Sequence, residues 1–296
     1  MEFLVKIIRI TIATALIVAP SAYQAAAAGP KVSQYSVTGN KHNLSAKAWD
    51  GAAIKGNTSA YRSTDDEAGN PKGQQICIFC HTPHNANVVG QAPLWNRKFS
   101  SEVFQRYSTD TLQIRKISEA QYAVGAQPNG SSKLCLSCHD GVSRLGEVNN
   151  GGEITMMSGY EVITGIASFK SDTNKMKTGH HPVSFVYNDA VRNAIQASKL
   201  PATVFTFPPT LTEVKLDKES RMQCTTCHDP HQNQSDDNAC YLSPTGSCDA
   251  TYTRKIAPFW VYNINAASTA AQDQQAVCTS CHPMTLLSPA FTPPWP

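Results

Sequence analysis

The sequence predicts a mostly irregular fold with short helices and few short strands, a single elongated domain ordered by covalent staples. Three observations predict it. Ten of the 296 residues are cysteine, and eight of these fall in four copies of one short pattern. The stretches 33–75 and 143–160 are polar and follow neither the helical nor the strand period. The segments that do carry a period are short and scattered between them. Charged residues make up 16% of the chain and aromatic residues 8%, which excludes a coiled coil and a charge-rich disordered tail. The net charge of +3 comes without the basic clustering that a nucleic-acid surface requires.

From the N-terminus, the first element is an export signal over 1–28. Lys6 and Arg9 form its positive region, 10–19 its short apolar region and 25–28 its small-residue cleavage region. The apolar run falls short of the about 20 residues that span a bilayer, and Pro20 interrupts it. Residues 29–296 are then the mature chain, exported to an oxidising compartment where cysteines are normally bonded, with no transmembrane segment left after signal removal.

The repeated pattern is C-x-x-C-H, at Cys77, Cys80 and His81, at Cys135, Cys138 and His139, at Cys224, Cys227 and His228, and at Cys278, Cys281 and His282. This is the attachment signal of c-type haem. Two thiols one helical turn apart reach the two vinyl groups on one edge of a porphyrin, and the adjacent histidine reaches the iron. Four copies therefore predict four covalently bound haems c, with His81, His139, His228 and His282 as proximal ligands. Zinc explains the pattern less well, since a site of four thiolates has no use for a histidine after every copy. Cys240 and Cys248 flank a Pro/Gly turn with no histidine following, which suggests a local disulfide.

Five histidines remain: His42, His84, His180, His181 and His231. Four irons need four sixth ligands, so the stock suits two imidazoles on every iron. His84 follows His81 by three residues, and His231 follows His228 identically, in an internal repeat. Residues three apart cannot straddle a porphyrin already tethered beside them, so each x-Pro-His serves another haem. The next haem along is the natural recipient: His84 for the haem on Cys135 and Cys138, His231 for that on Cys278 and Cys281. Of His180 and His181, Pro182 restricts His181 more and favours it, with His180 left open. His42 lies in a polar stretch 35 residues before Cys77 and suits an arm reaching a neighbouring subunit.

Regular structure is expected at few places. Residues 189–199, with Asn188 as cap, and 266–281 read as helices. Strands are expected at 183–187, 203–207 and 256–262, where aromatic and β-branched residues cluster.

At CIFCHTPHN (77–85), CLSCHDG (135–141), HHPVSF (180–185), CTTCHDPH (224–231) and CTSCH (278–282), the chain resembles the extracellular multihaem c-type cytochromes of the OmcE and OmcS type. These assemble into filaments, or nanowires, in metal-reducing microbes, and four haems match the tetrahaem members. The resemblance implies bis-histidine haems in a stacked row and electron transport without enzymatic turnover. It also implies a homopolymer on the cell surface in which a histidine near the mature N-terminus, here His42, ligates a haem of the adjacent subunit. Redox proteins or extracellular acceptors would be the further partners, with no nucleic acid. Four ferric haems with ionised propionates shift the charge by about −4, leaving a nearly neutral particle suited to self-association. Two alternatives keep the same motifs: a monomeric periplasmic shuttle, and a multihaem reductase with one open iron.

Overall fold

The computed structural model describes residues 41–49, 54–65, 71–87, 94–105, 107, 127–173, 175–178, 180–197, 205–208, 214–231, 259–261 and 270–282. The export signal at 1–28 and the proposed Cys240–Cys248 disulfide lie outside the described residues. Most of the described chain is coil, as the sequence predicts. Two short antiparallel ladders are present: β1 (Lys47–Trp49) with β2 (Ile54–Gly56), and β3 (Phe185–Val186) with β4 (Arg221–Met222). Lys47 stands opposite Gly56, and Phe185 opposite Met222. The helices are α1 (Gly130–His139), α2 (Lys175–Thr178), α3 (Asp189–Ala197), α4 (Cys224–Cys227) and α5 (Ala270–Thr279), with short 3₁₀ turns between them. Among the described residues, no helix is long and apolar enough to cross a membrane.

Local chemistry explains where these elements fall. Helix α3 starts where expected because the Asn188 Oδ1 accepts the Val191 N–H at 3.1 Å, satisfying one donor that a helix start leaves open. Helix α5 lies within the expected 266–281, of which 266–269 fall outside the described residues. Helix α1 was not foreseen, because its opening Gly-Ser-Ser lacks a helical signature. The hairpin β1–β2 falls inside the stretch 33–75 read as loop. Its strands are three residues long, too short for a strand period to emerge, and flanking bonds fix it: Ala46 N to Gly73 O at 2.7 Å and Asn57 N to Ala46 O at 2.8 Å. Residues 205–208 are described without strand, although Phe205 and Phe207 pack on a core cluster.

Among the described residues, three small apolar clusters form the core, and each touches a cysteine motif. Leu44, Phe79, Leu145, Ile154 and Met156 pack with Cys80 and Cys138. Phe185, Tyr187, Val191 and Met222 enclose Cys281. Phe104 and Met176 meet Leu136, which lies inside the second motif.

Between the clusters, buried side-chain amides satisfy the backbone that ladders would otherwise pair. The Asn57 amide donates to Asn43 O at 2.7 Å and to Ser45 O at 2.8 Å. Gln223, 2% exposed, accepts from Ser132 Oγ at 2.6 Å and donates to Asn129 Oδ1 at 3.0 Å and Asp217 Oδ2 at 2.9 Å. Its backbone N–H bonds the Thr226 hydroxyl at 2.9 Å, so one residue ties α1, the β4 approach and α4 together. Gln223→Leu strands several of these buried groups, each at about 1–3 kcal/mol. It should lower the chemical-denaturation midpoint markedly, whereas Thr225→Ala, at an exposed position, should shift it little.

Candidate functional site

Each motif is one closed helical turn. The histidine N–H donates to the carbonyl of the first cysteine: His81 to Cys77 at 2.8 Å, His228 to Cys224 at 3.0 Å and His282 to Cys278 at 2.8 Å. The second motif sits in the last turns of α1. This closure puts both thiols on one side of the turn and the imidazole beside them, as attachment to a single flat group demands. All eight motif cysteines are free thiols. Burial pushes the Cys80 and Cys227 thiols up to about 12 and that of Cys281 to about 11. Among the described residues, no group of three His, Cys, Asp or Glu side chains could hold a bare metal ion.

The internal repeat extends beyond the C-x-x-C-H motifs and their x-Pro-His extensions. Ala92-Pro93-Leu94-Trp95 matches Ala257-Pro258-Phe259-Trp260. The two segments dock identically. Thr82 N bonds Leu94 O at 2.8 Å where Asp229 N bonds Phe259 O at 2.8 Å; Asn96 N bonds Cys80 O at 2.8 Å where Val261 N bonds Cys227 O at 2.9 Å. Leu94 and Phe259 both take positive φ, 55° and 64°, a strained conformation for bulky residues that recurs at the same repeat position. The result in both halves is a tryptophan against a proximal histidine: Trp95 with His81 at a centroid distance of 5.7 Å, and Trp260 with His228 at 4.8 Å. The signal was in the sequence, but the spacing from motif to tryptophan differs between the halves, which hid it.

Three pairs of histidine rings stand 6.2 Å apart, centroid to centroid: His42 with His139, His81 with His231, and His181 with His282. Each pair contains one proximal histidine. A metal–imidazole bond of about 2.0 Å on each side, plus about 1.1 Å from nitrogen to ring centre, puts two axial rings about 6 Å apart across one iron. The interplanar angles of 82°, 18° and 73° are all compatible, because each ring can turn about the axis. The residues present thus fit a haem at three of the four motifs.

Hydrogen bonds orient these rings. Nδ1 of His42 lies 3.0 Å from Pro230 O, that of His139 2.8 Å from Ala167 O, and that of His181 2.9 Å from Pro182 O. A carbonyl only accepts, so Nδ1 carries the proton and Nε2 keeps the lone pair a metal needs. His231 has its Nδ1 3.3 Å from Asp229 Oδ1. Burial pushes His42 down to about 4, helped by the neighbouring His139, and also lowers His139 and His181, so all three are neutral imidazoles at neutral pH. His180 differs. Its Nδ1 lies against His181 O and its Nε2 2.9 Å from Met176 O, so both ring nitrogens are turned onto carbonyls of its own segment.

These partners differ from those suggested by sequence order. His231 faces His81 of the first half, and His181, not His231, faces His282. His139 meets His42, not His84. The two halves interlock: Ser131 Oγ and Thr225 Oγ1 are 2.5 Å apart, and Cys224 N donates to Ser132 Oγ at 3.0 Å. Docking motif three on motif two carries the x-Pro-His turn of 228–231 past the first half. His42, expected on an arm to another subunit, is half-buried against its own chain, stacked on Phe259 at 4.2 Å, and the 43–46 that follow it are buried. His84 is exposed.

The motifs follow one another in space as in sequence. Cys80 interacts with Cys138, Cys135 hydrogen-bonds Cys224, and Cys227 interacts with Cys278 and Cys281. No protein-family model matches the chain, and no curated protein matches it.

The Cys135–Cys224 contact makes a direct prediction. In chain exported without haem attachment, mild oxidation with diamide should give a Cys135–Cys224 cross-link as the dominant disulfide among motif cysteines. Peptide mapping under non-reducing conditions would read it, and random pairing would contradict the packing of α1 on α4.

Proposed function

We propose that this protein is a tetrahaem c-type cytochrome that transports electrons along a row of bis-histidine haems, is exported, and polymerises into an extracellular conductive filament. The observation that carries the haem reading is the set of three histidine pairs at 6.2 Å, each joining a C-x-x-C-H histidine to a distant one. Bound haem supplies one-electron chemistry between ferric and ferrous iron. The chain's own residues do the rest. The cysteines of each motif tether an edge of the macrocycle. His81 and His231, His139 and His42, and His282 and His181 would ligate the irons of three haems. The carbonyls of Pro230, Ala167 and Pro182 hold the imidazole protons on Nδ1. Contacts between successive motifs keep the groups close enough for transfer from one to the next.

The haem on Cys224 and Cys227, with His228 as proximal ligand, takes its sixth ligand from His84. By the repeat, His84 stands to the first motif as His231 stands to the third, and like His181 and His231 it is exposed. We assign His84, in place of His42, the crossing to a neighbouring subunit on which polymerisation depends. The packing of His42 against its own chain equally suits the alternative of a monomeric periplasmic shuttle. A reductase is disfavoured because the assignment leaves no iron open.

The test is expression in a host competent for c-type maturation. Intact mass and pyridine haemochrome should give four haems per chain, and replacing Cys135 and Cys138 with alanine should give three. His181→Ala should convert one haem to high spin, and His180→Ala should leave all four low spin. His84→Ala should load four haems but lose assembly in electron micrographs. Normal filaments with four low-spin haems in that variant would sink the His84 assignment.

A further inference from the structure

The repeat that relates the first motif to the third breaks at one charged residue. After Ala-Pro-Leu-Trp the chain continues Asn96-Arg97; after Ala-Pro-Phe-Trp it continues Val261-Tyr262. Arg97 is 2% exposed. Its Nε donates to Ser137 O at 3.2 Å, Nη1 to Leu145 O at 2.7 Å and Nη2 to Arg144 O at 2.8 Å. All three acceptors are backbone carbonyls, and no carboxylate pairs with the guanidinium among the described residues. An arginine does not shed its proton to escape burial, so this is a permanent buried charge.

Its position is set from both sides. The neighbouring Asn96 N–H bonds Cys80 O at 2.8 Å in the first motif, while the Arg97 side chain bonds Ser137, which precedes Cys138 in the second. In the second motif Asp140 follows His139, fully buried with its carboxylate taken by Val142 N at 3.0 Å and by Ser143 N at 2.8 Å. Asp229 holds the same place after His228 in the third motif, whereas the first motif has the uncharged Thr82 after His81.

We propose that Arg97 is a tuning residue that makes the haem on Cys77 and Cys80 easier to reduce than its repeat-mate on Cys224 and Cys227. This rests on the haem reading above. Reduction adds one electron to the haem from an external donor, and a nearby fixed cation stabilises the added negative charge. A unit charge about 10 Å away through an effective dielectric of about 20 shifts such an equilibrium about tenfold. The purely structural alternative, in which Arg97 only caps carbonyls at the end of α1, moves stability but no potential.

The experiment is a spectroelectrochemical titration of purified holoprotein with redox mediators, after the haem count is confirmed. Arg97→Met should keep four haems and shift one quarter of the absorbance change downward by about tenfold in the one-electron equilibrium, or about 59 mV. Arg97→Lys should retain the wild-type titration. A four-haem Arg97→Met protein with an unchanged titration overturns the proposal. If that variant loads fewer haems, Val148→Glu decides. Val148 lines a cavity of about 270 Å³ with Arg97 and is half-buried, so a carboxylate there opposes the charge while leaving its hydrogen bonds in place. A downward shift of one haem in that variant supports the proposal, and no shift overturns it. Absence of haem from the wild-type chain would instead defeat the functional reading itself.

Discussion

The structure depends on the closed turn of the C-x-x-C-H motif and the extended segment that docks on it. A single bond from the histidine N–H to the first cysteine carbonyl fixes the thiols and the ring relative to one another. In the first and third motifs, two further backbone bonds join that turn to an A-P-[LF]-W segment and bring an indole onto the ring. Two backbone contacts make a rigid unit without a sheet or a long helix. The repeated positive φ at Leu94 and Phe259 shows the cost of turning the chain sharply enough to present the tryptophan.

Given such units, a large side-chain core is not needed to position them. The clusters around Phe79, Phe185 and Phe104 are small and each touches a motif. Buried amides carry the connecting backbone. Asn96 illustrates the division of labour: its Nδ2 donates to Ile78 O at 2.6 Å and its Oδ1 accepts from Asn150 N at 2.8 Å, while its own N–H holds the first motif. Each of these bonds is a specific pairing that a helix or strand would have supplied by repetition.

The low content of regular structure, the four motifs and the neighbourhood of helix α3 were legible in the sequence, because each is written in contiguous residues. Pro182 favours His181 over His180 in the sequence, and the structure sets His181 beside His282, with the His180 nitrogens turned onto carbonyls of its own segment. The partners of the distal histidines were not legible. They depend on how α4 docks on α1 through Ser131, Ser132, Thr225 and Gln223, and small polar residues spread over some 90 positions leave no periodic trace. The surroundings of His42 were not legible for a related reason. Asn43 and Ser45 look like solvent-facing residues, but they are fully buried and bonded to each other and to the backbone of Lys47.

Interlocking has a consequence for the proposed transport of charge from one group to the next. If His231 and His42 each ligate a haem belonging to a different part of the sequence, neither half can fold around its haems alone. The distances between successive groups are then set by the same contacts that make the fold cooperative, such as Cys135 against Cys224 at the junction of motifs two and three. A break in the repeat, such as arginine against tyrosine at 97 and 262, can make the two halves electrically unequal without moving either. Geometry shared between the halves would fix how far an electron travels at each step, while unshared side chains would fix which way the step leans.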